Sequence, residues 1–118
     1  MEKISKENEP EYYHQLSILK PSNNYLKEES IKKQLNKKYN GETEVFTEMG
    51  YIDLLTDDKL IEIKEYSKWK NTSGQLMAYS FEYPDSLKIM YLFNVGDQKT
   101  KYIKKICKKY NIKLKIFD

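Results

Sequence analysis

The sequence predicts an α+β domain in which helices cover a mixed sheet. Three observations carry this. Leu26 to Tyr39 repeats apolar residues at helical spacing, three strand-like segments crowd between Glu44 and Glu65, and Leu87 to Val95 is almost continuously apolar. A run of that last kind reads as a central strand covered on both faces. At 118 residues the chain accommodates one core.

The first helix, Leu26 to Tyr39, places Ile31, Leu35 and Tyr39 at i, i+4 and i+8, and Asn40-Gly41 stops it. Glu44 to Met49 and Gly50 to Leu55 are strands, Thr56-Asp57-Asp58 is a turn, and Lys59 to Glu65 is a third strand. A polar loop then leads to a helix from about Ser73 to Phe81, capped by Ser73 or Thr72 and broken at Pro84-Asp85. After the apolar strand, Asp97 to Tyr110 is an amphipathic helix with Tyr102, Ile103, Ile106, Cys107 and Tyr110 inward, and Leu114 to Phe117 is a last strand. The order is α-β-β-β-α-β followed by a further helix and strand. Residues 1–25 form a polar arm, with Tyr12 to Leu19 readable as a strand or an extension, and residues 26–118 form the domain.

Composition narrows the function. No window approaches a membrane span and the N-terminus has no signal-peptide pattern, so the expectation is an intracellular protein, in host cytoplasm or nucleus, that is not secreted. One cysteine, Cys107, and one histidine, His14, provide neither a disulfide nor a zinc site. The net charge is +3, every strong cation is lysine, and arginine is absent. Forked arginine readout of guanine is therefore excluded, and a nucleic-acid contact rests on lysine–phosphate attraction.

Charges interrupt the best strands. In "LIEIKE", Ile61 and Ile63 share one face and Leu60, Glu62 and Lys64 the other, with Glu62 and Lys64 about 7 Å apart. A hairpin centred on Asp57-Asp58 brings Asp53 opposite Glu62. Two readings stand side by side: a solvated hairpin face, or two carboxylates that hold a hard divalent cation beside a lysine.

At these residues the chain resembles the PD-(D/E)xK nuclease superfamily. The match consists of Gly50-Tyr51-Ile52-Asp53, Glu62-Ile63-Lys64, the α-β-β-β-α-β order, and a Gln75-x-x-x-Tyr79 motif as in RecB-like members. The stretch around it also resembles small nuclease-like domains of phages and large DNA viruses. The resemblance implies a restriction-endonuclease-like core and a metal-dependent nuclease hydrolysing DNA with low or structure-based specificity. An RNA endonuclease, or a non-catalytic module binding nucleic acid or a partner on the same fold, are the alternatives. It further implies Mg²⁺ or Mn²⁺ held by Asp53, Glu62, the Ile63 carbonyl and a first-helix glutamate, with Lys64 catalytic and Gln75 reaching into the cleft. Glu28 and Glu29 compete for the helix position; Glu28 lies on the inward stripe.

Lys68, Trp69 and Lys70 flank this site as phosphate and stacking contacts, although a lone tryptophan more commonly caps a core. Lys104, Lys105 and Lys108, with Lys99, Lys101 and Lys109, give the last helix a basic face. That face suits a phosphate backbone or plain solvation. DNA is favoured over RNA as partner, and a homodimer is compatible with cutting two strands.

Overall fold

The computed structural model describes residues 22–117. Ser22 starts the first helix, α1 (Asn23–Tyr39), because its Oγ accepts the Tyr25 amide at 3.0 Å and satisfies one of the free first-turn donors. This cap sets the start three residues before the expected Leu26. Asn40 ends the helix in the left-handed region (φ 55°), its amide donating to the Asn36 carbonyl at 2.7 Å. Of the proposed arm, residues 1–25, the part up to residue 21 with Tyr12 to Leu19 lies outside the described residues, and Ser22 to Tyr25 form the cap and first turn of α1.

Five strands follow: β1 (Glu42–Thr47), β2 (Gly50–Leu55), β3 (Lys59–Glu65), β4 (Leu87–Phe93) and β5 (Ile112–Ile116). They form one sheet in the order β1-β2-β3-β4-β5, antiparallel up to β3 and parallel from β3 to β5. The parallel half requires crossovers, supplied by α2 (Trp69–Tyr79) and α3 (Lys101–Lys109).

The sheet separates two apolar layers. Ile31 and Leu35 of α1 pack on Leu54, Ile61, Ile63, Ile89, Tyr91 and Phe93. On the other face, Leu76 and Tyr79 of α2 and Ile103 and Cys107 of α3 pack on Leu60, Met90, Leu92 and Ile112. Alternation along β4 decides the layers: Ile89, Tyr91 and Phe93 face α1, and Met90 and Leu92 face α2 and α3. Each such fully buried aliphatic side chain contributes about 2 kcal/mol.

Three element assignments are corrected. The loop expected before Ser73 is absent. A 3₁₀ turn at Tyr66–Lys68, whose Ser67 amide donates to Glu65, runs directly into α2. Thr72 and Ser73 are not caps; their hydroxyls donate back to the Lys68 and Lys70 carbonyls, so they no longer compete with the helix. The last helix is shorter than Asp97 to Tyr110, and only Ile103 and Cys107 of its supposed inward set are buried. Tyr102 is exposed because it lies off that stripe, and Tyr110 because it stands past the last helical residue as the C-cap.

Candidate functional site

β2 and β3 pair at Leu54–Ile61 and Leu55–Leu60, and beyond this point side chains take over from the ladder. The Asp53 amide donates to Glu62 Oε2 at 2.8 Å, and the Ile63 amide donates to Asp53 Oδ2 at 2.7 Å. A kink in β1 accompanies this. Glu44 has φ 53°, its register position opposite Asp53 is interrupted, and Leu54 and Ile52 pack on opposite faces of the sheet. Such an interruption re-aims a side chain, and here it turns Asp53 toward β3.

Lys64 Nζ lies 3.4 Å from Glu28 Oε2 and 3.5 Å from Asp53 Oδ2. Glu29 turns away and pairs with Lys32 at 2.8 Å, and Lys32 also reaches Glu44 at 2.7 Å. Burial pushes the Glu62 carboxyl up to about 8, with the Asp53 charge adding to the effect. Burial likewise raises Asp53 and Glu28, against the opposing pull of Lys64. For Lys64, burial alone would lower the ammonium, but Asp53, Glu28 and Glu62 together outweigh it and hold it above its ordinary value. Glu62 is therefore shifted toward its protonated form, and the Lys64 ammonium lies between the Glu28 and Asp53 carboxyls.

A cleft of about 360 Å³ opens between α1 and α2, with Asn24, Tyr25, Glu28, Lys64, Lys68, Asn71, Thr72 and Gln75 in its wall. Gln75 thus faces the cleft. Asp53 and Glu62 do not line it; they are 5 % and 1 % exposed beneath Lys64. Trp69 is half-buried against the α2–α3 core layer, and Lys70, 5.8 Å from its ring centroid, is exposed. Lys104, Lys105 and Lys108 are exposed on α3, which is packed with β5 at the far edge of the sheet. The sequence reading missed Asn71, which shares a helix face with Gln75 at i, i+4. Its signal was hidden because the segment was assigned as loop.

Among the described residues, no group of three or more His, Cys, Asp or Glu side chains is placed to hold a metal ion. The donor set does not fit a resident Mg²⁺ or Mn²⁺ as arranged. Lys64 already stands as the cation between Glu28 and Asp53, and one oxygen each of Asp53 (Oδ2) and Glu62 (Oε2) is engaged by a backbone amide.

Charge is divided across the sheet. Residues 42–58, which build the β1–β2 edge, contain six carboxylates and no lysine, whereas residues 99–117, which build α3 and β5, contain eight lysines and no carboxylate. On α3, Lys101, Lys104, Lys105 and Lys108 fall at i, i+3, i+4 and i+7, opposite the buried Ile103 and Cys107.

The chain is similar to three proteins of Acanthamoeba polyphaga mimivirus that carry the name KilA-N domain-containing protein. Identities are 53 % over 116 residues, 51 % over 116 and 42 % over 113, covering 98 %, 98 % and 95 % of this chain. The chain spans 47 %, 33 % and 30 % of the lengths of these relatives. No family model matches the chain, and no solved structure matches it.

These findings correct the family assignment. The relatives are named for a different domain, KilA-N, and none is named a nuclease, so the PD-(D/E)xK membership and the reading as a metal-dependent DNA hydrolase are withdrawn. The expected element order is present as an α+β fold with a five-stranded mixed sheet and three helices. The expected viral affinity agrees with the relatives' source. No helix among the described residues is long and apolar enough to cross a membrane.

Proposed function

We propose that this chain is a DNA-binding module that grips the phosphate backbone with the lysine face of α3 and the neighbouring β5 edge. The observation that carries this is the run of eight lysines without a carboxylate in residues 99–117, four of which, Lys101, Lys104, Lys105 and Lys108, are exposed on α3 opposite its buried stripe. Such a surface attracts a polyanion without reading its sequence, because lysine lacks the forked geometry that fixes base edges. Lys68 and Lys70, exposed at the start of α2, extend the contact. Asp53, Glu62 and Lys64 serve as a polar brace at the strand fork.

Fluorescence anisotropy of a labelled 20-base-pair duplex, titrated between 25 and 200 mM NaCl, tests the reading. Each phosphate neutralised contributes about −0.9 to the slope of log K against log salt. Four to five lysine contacts predict a slope on the order of −4, and the triple variant Lys104→Ala/Lys105→Ala/Lys108→Ala should lose on the order of 2.7 of it. Absence of saturable binding at 25 mM salt, or an unchanged slope in the triple variant, overturns the assignment. Cleavage of the duplex in Mg²⁺ by wild type and not by Asp53→Ala would overturn a role limited to binding. A matched RNA duplex in the same assay decides between the two nucleic acids.

A further inference from the structure

Among the described residues, nothing covers an apolar surface on the β1–β2 edge. Phe46, Met49 and Tyr51 are 65 %, 58 % and 57 % exposed, and the Phe46 and Tyr51 rings meet edge to face with centroids 5.6 Å apart. β1 is also, among the described residues, an outer strand paired on one side only. Large aromatics clustered on a sheet edge mark a contact surface rather than scattered exposure. Stacking on bases is an unsuitable use for this pair. Glu42 lies on β1 and Glu48 in the turn after it. Lys32 pairs with Glu44 and Lys59 with Asp58, but no lysine within residues 42–58 stands beside Glu42, Glu48 and Asp57 to offset phosphate repulsion.

We infer that this acidic aromatic edge docks the lysine-rich α3–β5 edge of a second copy of the chain, head to tail. Charge complementarity selects the occupant. A like pairing of two β1 edges would oppose carboxylate to carboxylate, whereas the opposite edge of the same molecule offers lysines and the exposed ring of Tyr102. The two edge strands are four inter-strand spacings apart, about 19 Å, which exceeds the Debye length of about 10 Å at 0.1 M salt. They therefore do not neutralise one another within a molecule and remain free to do so between molecules. A head-to-tail contact has no built-in closure, so the assembly grows with concentration. The proposal goes beyond DNA binding and competes with it, because both would use the α3 lysines.

Sedimentation velocity of the nucleic-acid-free chain between 5 and 300 μM, at 25 and 300 mM NaCl, reads this directly. The expected result is a sedimentation coefficient that rises with concentration at low salt and returns to the monomer value at 300 mM. Phe46→Ser/Tyr51→Ser should abolish the rise while retaining the wild-type circular dichroism spectrum. Glu42→Lys/Glu48→Lys and Lys104→Glu/Lys105→Glu should each be monomeric alone and should associate when mixed. A wild-type monomer across the whole range overturns the proposal, and so does an association that neither salt nor the Phe46/Tyr51 variant weakens. The Glu42/Glu48 variant keeps every α3 lysine, so its duplex binding reports separately on the DNA-binding reading.

Discussion

Asp53 and Glu62 each replace a rung of the β2–β3 ladder, the Glu62 carboxyl accepting the Asp53 amide at 2.8 Å and the Asp53 carboxyl accepting the Ile63 amide at 2.7 Å. The fork between two strands is thereby held by side chains that titrate.

That arrangement sets a pH dependence. Glu62 is pushed up to about 8 from an ordinary value of 4.5, so between these limits the folded chain binds more protons than the unfolded one. Stability falls as pH rises wherever the folded state holds the extra proton. Asp53 and Glu28 are raised as well and act in the same direction, while Lys64 is raised above 10.5 and contributes only at higher pH. Urea midpoints should decrease from pH 5.5 to pH 8.5, and Glu62→Gln should flatten most of the decrease. A midpoint that rises over this range would contradict the upward shift of the buried Glu62 carboxyl.

Lys64 is the only cation within 4 Å of Glu28 and Asp53 among the described residues. Removing one member of a largely buried pair leaves the other charge uncompensated, which costs about 3 to 5 kcal/mol when solvent is fully excluded. The Lys64 and Glu28 side chains remain 23 % and 21 % exposed, so the cost should be nearer about 2 kcal/mol. Lys64→Met should show that loss by chemical denaturation, and Lys64→Met/Asp53→Asn should recover part of it. Equal stability of Lys64→Met and wild type would remove the brace from the account.

Gly50 has φ 130°, and a Cβ added there would stand 2.9 Å from the Tyr79 hydroxyl oxygen. That hydroxyl donates to the Tyr51 carbonyl at 3.1 Å and ties α2 to β2. Gly50→Ala combines backbone strain with this collision and should cost about 2 kcal/mol or more. Tyr79→Phe removes the colliding atom, so the double variant should lose less than the sum of the singles. Strict additivity would place the strain elsewhere.

The order of elements along the chain, the Asp57-Asp58 turn and the Asp53–Glu62 approach were legible because alternation and turn chemistry are local signals. The choice of Glu28 over Glu29 followed from helix geometry alone, and the two residues do point to different lysines. The start of α2 was hidden because Asn71, Thr72 and Ser73 favour loops in isolation, and the bonds back to Lys68 and Lys70 that reconcile Thr72 and Ser73 with the helix exist only once it forms. Burial was the larger gap. Sequence placed Asp53 and Glu62 in a cleft, whereas the kink at Glu44 and the reach of Lys64 put them beneath its wall. A short motif with suitable spacing carries no information about that depth.

Glu44 offers a test that separates strain from charge. It holds φ 53° without being glycine, and its carboxylate pairs with Lys32, a lysine only 5 % exposed. Glycine occupies the left-handed region freely, while alanine incurs a cost of about 1 kcal/mol or slightly more there. Both Glu44→Gly and Glu44→Ala remove the partner of Lys32, leaving it with Glu29. The difference between the two variants therefore reports the backbone alone. Glu44→Gly should be more stable than Glu44→Ala by about 1 kcal/mol in urea denaturation, with wild type at or above the glycine variant. If alanine equals or exceeds glycine, the kink opposite Asp53 relaxes at no cost and does not constrain the fork.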